Sequence, residues 1–315
     1  MKLFNLAVST SIAAVLLSFS LMSCVNQVQD DSEIIGNENE KVKVHVSFSG
    51  FNLSYEEEDV ATRASDKTAS DAGVDRIALS VFDSSNQLVY SSKKKSSDDT
   101  EDFDQISCEL MPGDYTFVAV AHKASADSDE AASITSATEA TITTSKVLKT
   151  FAVTQAVTVQ GGETNAVTIV FGQRITSTFQ LVTSDNTPDA VTSCELLVNP
   201  ALTTTATAFT FSPSTGLAAD DYQNRTEIRR IDIKDNTFKN VALIVHCFLK
   251  EQSQTISVTA NMKNASGGIV KSMTFNDVPM APHRITRATG QFFHGSANGS
   301  FTFDDTDDTR YDFSF

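Results

Sequence analysis

Between Lys41 and Ser49, Val42, Val44, Val46 and Phe48 alternate with Lys41, Lys43, His45, Ser47 and Ser49. A strict two-residue period predicts a β-strand with one dry and one wet face. A polar, acidic stretch follows (Glu56, Glu57, Glu58, Asp59) and leads to Arg63 and Ala64. The same alternation recurs along the chain. Val74 to Phe82 reads as a strand closed by Asp83-Ser84-Ser85-Asn86, and Gln87 to Ser91 returns as its hairpin partner. Lys93, Lys94 and Lys95 read as the start of a solvated loop. Ile106 to Leu110 and Tyr115 to His122 flank the turn Met111-Pro112-Gly113-Asp114. Residues 124–145 are rich in Ala, Ser, Thr and Asp without a firm period, and read as a long connection with room for a short helix. Phe151 to Val159 and Val167 to Phe171 follow, joined at Gly161-Gly162.

Gly172-Gln173-Arg174 interrupts the β pattern, and a domain boundary is placed there. Beyond it, strands are predicted at Ile175 to Val182, Cys194 to Val198, Ala208 to Phe211, Glu227 to Ile233, Val241 to Leu249 and Thr255 to Met262. Gly267-Gly268 turns into Ile269 to Phe275. Pro279 and Pro282 are expected to break the sheet before Arg284 to Phe293. At the far end Tyr311, Phe313 and Phe315 alternate with Asp312 and Ser314, as Phe301 and Phe303 do ahead of a run of aspartates. No helical period runs long enough to matter. Many short strands separated by turns predict an all-β chain of sandwiches, two in tandem for this length, although the two halves share no evident sequence repeat.

The first residues change the picture. Lys2, then the short apolar run Ile12 to Leu17, then Leu21-Met22-Ser23-Cys24 read as a secretory signal. Its end resembles a bacterial lipobox, with cleavage before Cys24 and lipid on its sulfur. An ordinary signal peptide with an incidental cysteine is the alternative. Asp30, Asp31 and Glu33 resemble the surface-export signal of Bacteroidales lipoproteins, or form a plain acidic tether.

Composition fits an exported protein. Net charge is −16 over 315 residues with 40% hydrophobic content, which disfavours nucleic-acid and anionic-membrane partners. Cys108, Cys194 and Cys247 show no CxxC spacing. Cys194 and Cys247 lie in apolar runs and either bridge or stay as small buried thiols. His45, His122, His246, His283 and His294 are scattered singly, with no HExxH spacing, nucleophile elbow or phosphate-cradling glycine loop. The expectation is therefore a non-enzyme with no metal and no cofactor.

Taken together, several segments resemble the fimbrillins of Bacteroidales, the type V pilins. They are the lipobox at Cys24, the short first strand, Thr62-Arg63-Ala64, Asp75-Arg76-Ile77 to Val81-Phe82-Asp83, Pro112-Gly113-Asp114-Tyr115-Thr116-Phe117-Val118-Ala119, and Arg284-Ile285-Thr286 to Thr289-Gly290-Gln291-Phe292-Phe293. The resemblance implies two transthyretin-like, Greek-key β-sandwich domains behind a lipoprotein signal peptide. Residues 1–23 would be the signal, 24–63 a propeptide with a removable first strand, 64–172 the first sandwich, and 173–315 the second, with a possible donor strand at 300–315.

It also implies a mechanism. An Arg-specific surface protease cuts between Arg63 and Ala64, and the strand bearing Val42, Val44, Val46 and Phe48 leaves. A neighbouring subunit's terminal strand, for which Tyr311, Phe313 and Phe315 are the candidates, fills the groove by β-augmentation. Such head-to-tail contacts do not close, so they build a filament. The implied product is an adhesive fimbrial subunit on the outer membrane and cell surface, with other fimbrial subunits as partners. Two alternatives stand beside it: an anchor subunit that keeps its lipid and first strand, and a non-polymerising surface lipoprotein that binds glycan or host protein.

Overall fold

The computed structural model describes residues 40–52, 68–98, 103–125, 128, 130–202, 206–229, 242–294 and 302–307. Every regular element among them is a strand. In chain order these are β1 (Val42–Asn52), β2 (Arg76–Asp83), β3 (Leu88–Lys95), β4 (Gln105–Leu110), β5 (Gly113–His122), β6 (Ser133–Ser136), β7 (Glu139–Thr143), β8 (Thr150–Val159) and β9 (Asn165–Gln173). There follow β10 (Ser177–Thr183), β11 (Ser193–Val198), β12 (Ala208–Phe211), β13 (Asn224–Arg229), β14 (Ala242–Cys247), β15 (Gln254–Lys263), β16 (Ile269–Met280), β17 (Arg284–Gly290) and β18 (Thr302–Asp307).

Two sheet pairs repeat one topology. The first joins the order β4-β1-β9 to β3-β2-β5-β8, and the second joins β14-β10-β17-β18 to β13-β11-β15-β16. In each, the opening strand lies antiparallel to one neighbour and parallel to the other: β1 to β4 and β9, β10 to β14 and β17. A parallel partner cannot come from a hairpin, so each opening strand is closed only by a strand from the end of its half. The repeat is one of shape and is invisible in residue identity.

Alternation explains what each pair encloses. Val44, Val46, Phe48, Ile77, Leu79, Phe117, Ala119, Ile169 and Phe171 meet in one core. Phe179, Leu181, Leu196, Val198, Val245, Val258, Ala260 and Phe275 meet in another. A third apolar cluster lies on the other side of β2 and β5, where Ala78, Phe82, Val118 and Val120 point away from the first core. That burial on both faces is why β2 and β5 read as nearly continuous apolar runs.

The third cluster is covered by a small sheet of order β12-β7-β6. Ala208 to Phe211 pair antiparallel with Ala140 to Thr143, joining an excursion of the first half to one of the second. Phe211 stacks on Phe248 with ring centroids 4.6 Å apart. This corrects the reading of residues 124–145 as a long connection with room for a short helix. Ile134, Ala140 and Ile142 supply just enough alternation for a hairpin buried against β2 and β5.

Two further expectations are corrected. Lys93, Lys94 and Lys95 belong to β3 and not to a loop. β3 is an edge strand, and lysines on an edge discourage pairing with another chain. Pro279 does not break the sheet, since β16 continues to Met280. β16 is also an edge strand, where a missing N–H can face solvent. The interruption falls instead at residues 281–283. Cys108, Cys194 and Cys247 are all free and buried. Burial pushes the Cys108 thiol up to about 11 and Cys247 up to about 12.

Candidate functional site

The strand singled out by its alternation is the middle strand of its sheet. Val42 to Ser47 pair antiparallel with Leu110 to Gln105, and Val44 to Asn52 run parallel to Asn165 to Gln173. Its dry face is closed. Val44 is 0% exposed, Val46 1% and Phe48 3%, while Val42 packs at the rim. Its wet face is tied to both neighbours, His45 Nδ1 to Ser107 Oγ at 2.8 Å and Ser47 Oγ to Thr168 Oγ1 at 3.3 Å.

The alternation breaks at Gly50, with a consequence that the sequence pattern did not reveal. Gly50 takes φ +67°, a conformation open to glycine and strained for other residues. The inward face therefore skips one residue and resumes at Phe51, which is 0% exposed. Phe51 stacks on Phe171 at 4.7 Å and meets Phe151 edge-on at 5.4 Å. Phe171 also contacts Phe48 at 5.9 Å. The signal that would have extended the strand is a large apolar residue directly after a glycine at the end of a strict period.

Full burial of Val44, Val46, Phe48 and Phe51 is worth roughly 6–12 kcal/mol, at about 1.5–3 kcal/mol for each side chain. Without β1, β4 and β9 would face each other across a missing strand, about 10 Å apart at twice the usual interstrand spacing. Both would present unpaired backbone groups. The slot can therefore be filled only by an extended segment that pairs on both sides.

The remaining site residues from the sequence lie outside the described residues: Cys24, Arg63 with Ala64, and Tyr311, Phe313 and Phe315. Residues 302–307, within the 300–315 segment read as a possible donor, form β18 and pair antiparallel with β17 of the same chain.

Other polar groups serve the framework. Asp185, whose side chain is 6% exposed, accepts the backbone N–H groups of Phe292, Phe293 and His294 at 2.9, 2.6 and 2.9 Å, with His294 Nδ1 at 3.3 Å. Burial alone would raise its pKa, but these bonds together hold it below the usual carboxylate value. Sequence reading missed Asp185, because nothing local marks a residue whose partners lie more than 100 positions away. Glu195 on β11 lies between Lys263 (3.0 Å) and Arg225, with Asn261 Nδ2 donating at 3.1 Å. Burial likewise opposes its ionisation, yet the bonds and cations keep its pKa lowered. His122 is buried, desolvation foremost lowers its pKa below the usual value, and its Nδ1 contacts the Lys123 carbonyl. Burial, then Arg174, Lys149 and Lys146, depress His246 well below the usual value, and it pairs with Thr178 Oγ1 at 3.0 Å. Among the described residues no three His, Cys, Asp or Glu side chains cluster to hold a metal.

Among solved structures, the fimbrial anchor protein Mfa2 from Porphyromonas gingivalis is 10% identical over 84% of this chain and 95% of its own, with a TM-score of 0.42. The tip fimbrial protein Mfa3 from the same organism is 10% identical over 85% and 99%, with a TM-score of 0.45. A fimbrial assembly protein from Parabacteroides distasonis is 10% identical over 84% and 99%, with a TM-score of 0.44. No curated protein matches the chain. A family model does match, over residues 35–231 and hence more than half of the sequence. The chain belongs to the family described as fimbrillin-A associated anchor proteins Mfa1 and Mfa2.

Proposed function

We propose that this protein is a fimbria-associated surface subunit that keeps its first strand and tethers the fimbria to the outer membrane through lipid on Cys24. One observation carries the reading: the family model matched over residues 35–231 is described as anchor proteins, and the uncut chain holds β1 as the middle strand of its sheet, with Val44, Val46, Phe48 and Phe51 all buried, as an anchor would keep it. A subunit that ends a filament needs its own strand in that slot, since an empty one would recruit a further subunit. The function needs no catalytic group, and the protein is proposed as a non-enzyme whose partners are other fimbrial subunits.

The test is a strain carrying Cys24→Ser. The expected outcome is fimbriae shed into the medium with assembly preserved. Fimbriae retained on the cell in normal amount would contradict the anchor role.

A second reading has its own observation. The segment between β1 and the next described residue, Thr68, contains one arginine, Arg63. A cut there separates β1 covalently and leaves residues 64–315 with a slot for a neighbour's strand, which makes a polymerising subunit. The Cys24→Ser strain separates the two, because a polymerising subunit that has lost residues 1–63 owes no attachment to Cys24.

A further inference from the structure

We infer that the β1 slot is keyed by Gly50 and Phe51 to strands bearing an aromatic-x-Gly-aromatic ending, so that β1 itself fits it and this chain's own terminal aromatics do not. The inference rests on the second reading above, in which a cut at Arg63 separates β1 covalently and leaves its slot open to another strand.

The slot is specific because its inward positions are unevenly spaced. Val44, Val46 and Phe48 follow a two-residue period, but the last inward position is Phe51, three residues after Phe48. The intervening backbone has φ +67° at Gly50, and a Cβ there would meet Val170 Cγ1 at 2.4 Å. Phe51 then enters a pocket walled by the rings of Phe171 and Phe151. A strand that fills the slot needs no Cβ at the Gly50 position and an aromatic ring directly after it. A glycine followed by an aromatic residue occurs once in the whole sequence, at Gly50-Phe51.

The terminal segment fails this test in both useful registers. Laying Phe315 on Phe48 matches Ser314 to Ser47, but it puts Tyr311 on Val44 and Phe313 on Val46. Those two sites are 0% and 1% exposed, and inserting rings into a filled core forces it apart. Laying Phe315 on Phe51 puts Ser314 at the Gly50 position, Asp312 at the Phe48 site and Arg310 at the Val46 site. That would bury charges without partners. Tyr311, Phe313 and Phe315 are spaced by two, so no pair of them spans the three-residue step in either chain direction. A second copy's tail is thus a poor occupant, and the slot does not support a homopolymer built on those three residues.

The experiment uses the full chain with a site for a sequence-specific protease built in at Arg63. The cut protein is challenged with four fluorescent peptides: residues 41–52, the same with Phe51→Ala, the same with Gly50→Ala, and residues 308–315. The freed residues 1–63 are first removed by size exclusion in urea, the remaining protein is returned to mild urea, and uptake is read by anisotropy. The native 41–52 peptide is expected to enter, and the Phe51→Ala peptide to bind more weakly by about a few hundredfold or more, as for loss of a buried ring. The Gly50→Ala peptide should bind about tenfold more weakly, and residues 308–315 should not compete. Equal uptake of residues 308–315, or of the Phe51→Ala peptide, overturns the key while leaving β1 exchangeable. Failure of the native peptide to enter a protein that has lost its β1 removes the slot itself, and with it both the inference and the reading beneath it.

Discussion

Asp185→Ala isolates a contact on which the end of the second half depends. The carboxylate receives three consecutive backbone N–H groups, from Phe292, Phe293 and His294, at 2.6–2.9 Å. Phe292 is 0% exposed in the second core and meets Phe293 edge-on at 5.3 Å. A hydrogen bond to a charged group contributes about 1.5–3 kcal/mol. Three sharing one carboxylate do not add fully, and water can reach the His294 end, whose side chain is 68% exposed. The expected loss is about 3–5 kcal/mol, several degrees or more in Tm. Asp185→Asn keeps one acceptor but turns an NH2 toward N–H donors, so it should lose most of the same stability.

The pH dependence has a definite sign. Burial raises the Asp185 pKa, the three N–H groups and His294 lower it by more, and the net position is below the ordinary value. A depressed folded-state pKa contributes stability that is complete above the unfolded value of about 3.9 and lost as pH falls through the folded one. The gap in stability between wild type and Asp185→Asn should be full at pH 6 and shrink only below about pH 4. Urea unfolding at a series of pH values reads both effects. An alanine variant within 1 kcal/mol of wild type, or a gap that widens in acid, would refute the reasoning.

Three further outcomes follow from the packing. Glu195→Ala leaves Lys263, whose side chain is 14% exposed, and Asn261 without the carboxylate that both bind; a loss of about 3–5 kcal/mol in urea unfolding is expected, as for other half-broken buried pairs. Cys108, Cys194 and Cys247 should resist alkylation in the native protein at pH 8 and react once it unfolds, as mass spectrometry of the peptides can show, because burial raises all three thiols above their usual value. Tyr222→Phe removes the hydroxyl that donates to the Phe248 carbonyl at 2.8 Å and also receives the Phe248 N–H. It should destabilise by about 1–3 kcal/mol while the ring contact with Phe209 at 4.6 Å persists.

Much of the fold is legible in the alternation of apolar and polar residues, because most strands have one dry face. β1, β4, β9 and β15 show it plainly. What escapes has a physical reason in each case. Lys93 to Lys95 read as loop because no side chain of β3 is fully buried, so no apolar alternation marks the strand. Residues 133–143 lacked a firm period because two short strands offer too few repeats. Pro279 read as a breaker because its edge position depends on which strands pair, and pairing is non-local. At the site, Val44, Val46 and Phe48 were readable one by one. Phe51 was not, because a positive φ at Gly50 shifts the period by one. Asp185 has no local signature, since its donors lie just past the end of β17, more than 100 positions away. The shared topology of the two halves lies in connection order and not in residue identity, so no repeat could be seen.

The central claim is that β1 remains the chain's own strand. The most direct measurement is the mass and amino-terminal residue of the mature protein extracted from the cell surface. The account predicts a chain that begins at an acylated Cys24 and still contains Val42 to Asn52. A mature chain that begins at Ala64 would contradict it.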